Sequence, residues 1–177
     1  VTVPDDGIRR VLLSTDDGDM TIAVDGVRAP ASAGYFLGEV RAGRFDGTSF
    51  YRIATLANQE PGQPAAIEIV QGGGRQPLAP TSPIIPHEST RDTGLRHRRG
   101  AISLGRFAPG AVYGGFFLCA SDQPALDFGG GRQPDGQGFA AFGMIAEGLD
   151  LLDRLFARAE SQEILRHEIP IRRIMLL

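Results

Sequence analysis

The sequence predicts a mainly β protein, a closed eight-stranded antiparallel barrel capped by two α-helices. Three observations carry this. Gly 24 and Pro 12 in a chain of 177 residues favour many turns and short strands over a helical bundle. About eight short apolar or alternating segments stand between turn residues, with no strand–helix alternation and no internal repeat. Strands so short and numerous would expose many edges, which closure into a barrel removes; a β-sandwich is the runner-up. The length suits one domain with a substantial core, taken as residues 1–177 with 1–7 a loose lead-in.

Taken in order, Ile8 to Ser14 is strand-like and Asp16-Asp17-Gly18 supplies hairpin chemistry. Met20, Ile22 and Val24 alternate with Thr21 and Ala23 in the returning strand. Pro30 suits a first helical turn. Ala33, Phe36, Leu37 and Val40 follow at the spacing of one buried helical face, and Gly43 is a stop. Two strands, SFYRI from Ser49 and AIEIVQ ending at Gln71, flank a Pro/Gly/Gln-rich loop. Gly72 to Gly74 break the pattern. Residues 75–99 are irregular, with Pro77, Pro80, Pro83 and Pro86, and end in the basic cluster Arg96 to Arg99, read as a solvated turn.

Gly100 to Gly105 and Gly115 to Ala120 are two further strands joined by RFAPGAVYG. In the second, Phe116 and Leu118 share one face, Phe117 and Cys119 the other. Both faces are apolar, so one should meet the core and the other core or ligand. After an irregular stretch at 121–138, Phe139 to Ile145 is a strand. Leu149, Leu152 and Phe156 mark the second helix, and Ile169 to Leu177 closes the chain.

Composition excludes some functions. The formal net charge of −3 gives no global electrostatic case for nucleic acid. No apolar run approaches membrane-spanning length. All eighteen basic residues are Arg, which reads first as genome composition. Cys119 stands alone, so no internal disulfide forms, and it reads as a small core residue. His87, His97 and His167 have no metal-ligand spacing, so neither metal nor cofactor is expected. The chain opens on Val1 rather than Met. The expectation from this is a trimmed leader and a periplasmic or exported protein, with the cytoplasm as the alternative.

Arg52 is the residue the fold does not ask for. It sits among Phe50, Tyr51 and Ile53, in a strand whose aromatics and β-branched residues need no guanidinium. Taken alone, it reads as a packed stem with its head in water. The motifs around it change that. Gly47-Thr48-Ser49-Phe50-Tyr51-Arg52-Ile53 resembles the G-x-S-F-H-R-V segment of the cyclophilin family of peptidyl-prolyl cis-trans isomerases, and Ile69-Val70-Gln71-Gly72-Gly73 resembles its M-I-Q-G-G. Leu95, His97 and Gly100 followed by Ile102-Ser103-Leu104 resemble L-x-H-x-x-G-x-L-S-M. Phe116-Phe117-Leu118 resembles F-F-I, Leu126-Asp127 the L-D pair, and Phe142-Gly143 V-F-G. Each motif alone is weak, but their shared order spans nearly the whole chain.

The resemblance implies a divergent bacterial member of that family, with Arg52 as catalytic arginine and Gln71 as the glutamine orienting it. Ile69, Phe117, Leu126 and Phe139 fall on positions lining the proline pocket. Gly115 falls on a position that the family fills with a substrate-contacting glutamine, and Arg106 on that of an asparagine whose backbone binds the peptide. Glu68 stands where the family has a pocket Phe, and Ala125 where it has Trp or Phe. Insertions at 54–66 and 128–138 flank the site. The implied partners are proline-containing peptides or unfolded protein clients, and cyclosporin-like ligands weakened by these departures, bound by a monomer. The first rival is a catalytically weak proline-peptide binding module of the same fold, suggested by Gly115 and Glu68. The second is a Ser/His/acid hydrolase using His87-Glu88-Ser89, which lacks a G-x-S-x-G elbow.

Overall fold

The computed structural model describes residues 7–77 and 84–177. Residues 1–6 of the lead-in, and Pro80 and Pro83 of the irregular stretch, lie outside the described residues. Eight strands form the barrel: β1 (Ile8–Thr15), β2 (Gly18–Asp25), β3 (Ser49–Ala54), β4 (Ile69–Gly73), β5 (Ala101–Arg106), β6 (Val112–Cys119), β7 (Ala141–Glu147) and β8 (Ile164–Leu176). They close in the order β1-β2-β7-β5-β6-β4-β3-β8, every pairing antiparallel. The helices are α1 (Pro30–Arg41), α2 (Thr90–Thr93) and α3 (Leu149–Phe156).

The expected helices are α1 and α3. The added α2 is a single turn, too short to show an apolar period. Its signal is Ser89-Thr90-Arg91-Asp92: the Ser89 hydroxyl accepts from the Asp92 N–H, and Gly94 ends the turn at φ 75°. Strand ends also move. β6 starts at Val112, not Gly115, and β5 runs to Arg106. A register shift between Leu104 and Arg106 hides this continuation from an alternation pattern. β7 begins at Ala141, leaving Phe139 outside it. β8 begins at Ile164, five residues before the expected start at Ile169, because exposed Arg166, His167 and Glu168 mask its start.

Phe36, Phe45, Phe50, Phe116 and Phe142 meet at centroid distances of 5.0–6.0 Å inside the barrel. Leu37 of α1 and Leu151, Leu152 and Leu155 of α3 join this core. Phe116 and Leu118 belong to it. Phe117 and Cys119 face the other way, into a second apolar cluster with Ala54, Ile67, Ile69, Ala101 and Leu126. The two-faced reading of β6 is thus borne out, and the second cluster is the floor of the cleft described below.

No side chain of its own caps α1. Glu88 does so from a distant loop. Its carboxylate accepts from the Ala31 N–H at 3.1 Å, the Ser32 N–H at 2.7 Å and the Ser32 hydroxyl at 2.7 Å. An anion here satisfies orphan donors and complements the helix dipole. Glu88→Ala should therefore lower unfolding free energy by about 1–2 kcal/mol, read from the urea midpoint, while a midpoint unchanged by the substitution would show that Glu88 caps nothing.

Candidate active site

Strict alternation along β3 would place Arg52 on the same face as Phe50, inside the core. A bulge prevents this. Phe50 pairs with Gly72 and Arg52 with the adjacent Gln71, so Tyr51 is the extra residue. The consequence is that Phe50 and Ile53 both enter the core while Tyr51 and Arg52 both line an outer cleft. The bulge needs close approach of β4. A Cβ on Gly72 would stand 2.7 Å from the Phe50 ring, so glycine is required there.

From Arg52 the site runs across four strands in one rung. Arg52 pairs with Gln71, Gln71 with Phe117, and Phe117 with Ser103. The Arg52 guanidinium is held from two sides. Nη1 donates to Gln71 Oε1 at 2.9 Å and Nη2 to Glu163 Oε1 at 2.7 Å. Gln71 is in turn fixed by donating from Nε2 to the Tyr113 hydroxyl at 3.0 Å. Burial raises the Tyr113 pKa, so at neutral pH this partner keeps its proton. A guanidinium has five N–H donors, and these two bonds leave others for the cleft.

The cleft has a volume of about 520 Å³. Its apolar floor is Ile69, Phe117 and Leu126, all buried, with Phe139 edge-on to Phe117 at 5.4 Å and 89°. The short helical turn Pro124–Leu126 presents Leu126. Arg52, Gln71, Ile69, Phe117, Leu126, Phe139 and Arg106 thus line one cavity. Gly115 does not line it. Tyr113 folds over both Gly115 and Gly105, and a Cβ on either would run into the tyrosine. The tyrosine fills the space a side chain at 115 would take. Glu68 also turns away, accepting from the Ser121 hydroxyl at 2.8 Å, and the wall gains Ile67 instead.

Arg106 is buried and fully committed. It donates to the Gly138 carbonyl at 2.9 and 2.6 Å, to the Phe107 carbonyl at 2.8 Å and to both oxygens of Asp135 at 3.0 Å. It clamps the 128–138 insertion to the barrel. The 54–66 insertion ties itself down through Asn58 and Gln59, which bond the carbonyls of Ile53, Thr55 and Ile67.

Sequence reasoning missed Glu163, Tyr113, Ile67 and Arg132 at this site. Tyr113 had a signal, an aromatic immediately before a glycine pair in a Gly-rich segment. Glu163 lies over a hundred residues from Arg52 and had none. The basic cluster at 96–99 is corrected in one member: the arginines are exposed, but His97 is buried. It stacks near Phe117, with centroids 5.9 Å apart. His97 Nδ1 lies 2.8 Å from Asp127 Oδ1, and Nε2 2.9 Å from the Ser103 hydroxyl. This has the outline of a Ser-His-Asp triad, yet Ser103 and His97 are sealed from solvent and serve to brace Phe117. The His87-Glu88-Ser89 cluster is taken apart by its contacts: His87 bonds the Gln137 carbonyl, Glu88 caps α1 and Ser89 caps α2. Among the described residues, no three His, Cys, Asp or Glu side chains converge as a metal site would need.

Burial pushes the Asp127 carboxyl up, but hydrogen bonds from the His97 ring and backbone outweigh it and leave its pKa below the usual value. A depressed carboxylate contributes stability that is complete above the unfolded value of about 3.9 and is lost as pH falls through the folded one. The urea midpoint of the wild-type protein should thus fall more steeply below about pH 4 than that of Asp127→Asn. Parallel curves would contradict the pairing.

Comparison with known proteins places the chain. The family model for cyclophilin type peptidyl-prolyl cis-trans isomerases matches residues 10–176. Peptidyl-prolyl cis-trans isomerase A of Dickeya dadantii is 34% identical over 82% of this chain and 70% of its own. Peptidyl-prolyl cis-trans isomerase cyp18 of Streptomyces antibioticus is 26% identical, covering 94% of each. A cyclophilin type isomerase of Cryptosporidium parvum has the same fold, with TM-score 0.73 at 20% identity over 96% of this chain and 98% of its own. A second structure of that protein was determined with the dipeptide Ala-Pro. With the family model spanning the barrel from β1 to β8, the chain belongs to the cyclophilin-type peptidyl-prolyl cis-trans isomerase family.

Proposed function

We propose that this chain accelerates cis–trans rotation of X-Pro bonds in proline-containing peptides and unfolded proteins, with Arg52 as the catalytic residue and Gln71 orienting it. The observation carrying this reading is one guanidinium, fixed by Gln71 and Glu163, lining a cleft with an apolar floor. Amide resonance sets the barrier to rotation at about 18–20 kcal/mol. Rotation needs no acid, base or metal, only tighter binding of the twisted state than of either planar isomer. In the twisted state the proline nitrogen regains a lone pair. An Arg52 N–H donates to it, while Ile69, Phe117, Leu126 and Phe139 hold the ring and keep water out.

The magnitudes are compatible. Uncatalysed rotation takes about 10–100 s at 25 °C, and lowering the barrier by about 5 kcal/mol brings it to milliseconds. A hydrogen bond from a charged donor contributes about 1.5–3 kcal/mol. Orientation of the ring in a dry slot supplies the remainder.

The second reading is a binding module with weak catalysis. One observation favours it: nothing at Gly115 reaches the cleft. The same feature weakens binding of cyclosporin-like ligands. A protease-coupled assay on a proline tetrapeptide separates the readings, since the module binds the peptide without accelerating it. In that assay Arg52→Ala should lower kcat/KM by about 10²–10³-fold with an unchanged circular dichroism spectrum. A rate within twofold of wild type would remove Arg52 from the chemistry.

A further inference from the structure

Among the described residues, four arginines line the cleft, Arg52, Arg75, Arg106 and Arg132, and no Asp or Glu does. Arg52, Arg75 and Arg106 each pair with a carboxylate outside the lining: Glu163, Glu168 and Asp135 respectively. Arg132 has none among the described residues. Its Nη1 donates to two neutral oxygens, Gln59 Oε1 at 3.2 Å and the Ala65 carbonyl at 2.8 Å. Its Nε and Nη2 donate to no described group. Burial, then the nearby Arg52 charge, lower its pKa, and the Glu163 carboxylate offsets them only in part, which leaves a cation short of counter-charge.

The placement of Arg132 is built rather than incidental. It belongs to the 128–138 insertion, yet its head is bonded to the 54–66 insertion. Its backbone N–H donates to the Ala125 carbonyl at 3.1 Å, one residue before Leu126 of the apolar floor. The guanidinium is therefore a neighbour of the ring slot. An anion entering the cleft would gain charge-assisted bonds from donors already oriented and partly dry. On the function proposed above the occupant of the cleft is a peptide, so the anion must arrive with that peptide. We infer that Arg132 selects substrates carrying a carboxylate side chain, Asp or Glu, beside the proline.

The test uses exchange NMR at low salt and neutral pH on acetyl-Gly-Xaa-Pro-Yaa-Gly-amide peptides, whose capped ends remove any terminal carboxylate. One arm compares Glu with Gln before the proline, the other Glu with Gln after it. In at least one arm the wild-type kcat/KM for Glu should exceed that for Gln about tenfold. The ratio should fall to about one in Arg132→Gln and stay above one in Arg132→Lys. Each ratio is taken within one enzyme, so a general loss of activity cancels. The wild-type ratio should also shrink in 0.5 M NaCl, a readout that needs no variant. A wild-type ratio of one or less in both arms, a preference that survives Arg132→Gln, or one indifferent to salt would overturn the assignment. If no peptide is accelerated, Gln peptides included, the isomerase reading fails instead. Dissociation constants from chemical-shift titration of the same peptides then judge Arg132 by the same ratios.

Discussion

Everything at the cleft depends on keeping one guanidinium out of the barrel interior and still. The β3 bulge does the first. It lets Phe50 and Ile53 fill the core on one side while Tyr51 and Arg52 emerge on the other. Gln71 and Glu163 do the second, taking one Nη each. The bulge in turn needs Gly72, and Gln71 needs the Tyr113 hydroxyl, which needs the bare backbones of Gly105 and Gly115 beneath its ring. A positioned donor costs no reorganisation when the amide twists, which is where such a site gains over water.

Much of this was legible in the sequence. The apolar character of both faces of β6 located core and cleft floor before any coordinates, and Phe117 and Cys119 do face the second cluster. The family resemblance, not the strand's composition, is what brought Arg52, Gln71 and Leu126 together, and all three line the cleft. The illegible part has a common physical cause, that it is made of contacts between distant segments. Glu163 meets Arg52, and Glu88 meets the start of α1, only after the barrel closes. Alternation also could not reveal the bulge, since a bulge is a break in alternation. The burial of His97 went unread for another reason: beside three exposed arginines, it takes their polarity in a sequence window, whereas its own ring is buried against Asp127, Ser103 and Phe117.

The departures from the family pattern take on structural meaning. Gly115 lacks a side chain because Tyr113 occupies its space. The Arg106 side chain clamps the 128–138 insertion through Asp135 and Gly138. Arg132 and Gln133 of the 128–138 insertion line the cleft, and Arg132 ties that insertion to the 54–66 one.

The central claim is that the Arg52 guanidinium contacts the twisting amide. Its most direct test is side-chain NMR of the Arg52 N–H resonances during titration with a capped Ala-Pro peptide. The account predicts that these resonances shift on binding and exchange at the rate at which the bound peptide interconverts its cis and trans forms. A peptide whose interconversion is accelerated while the Arg52 resonances stay unmoved would contradict it.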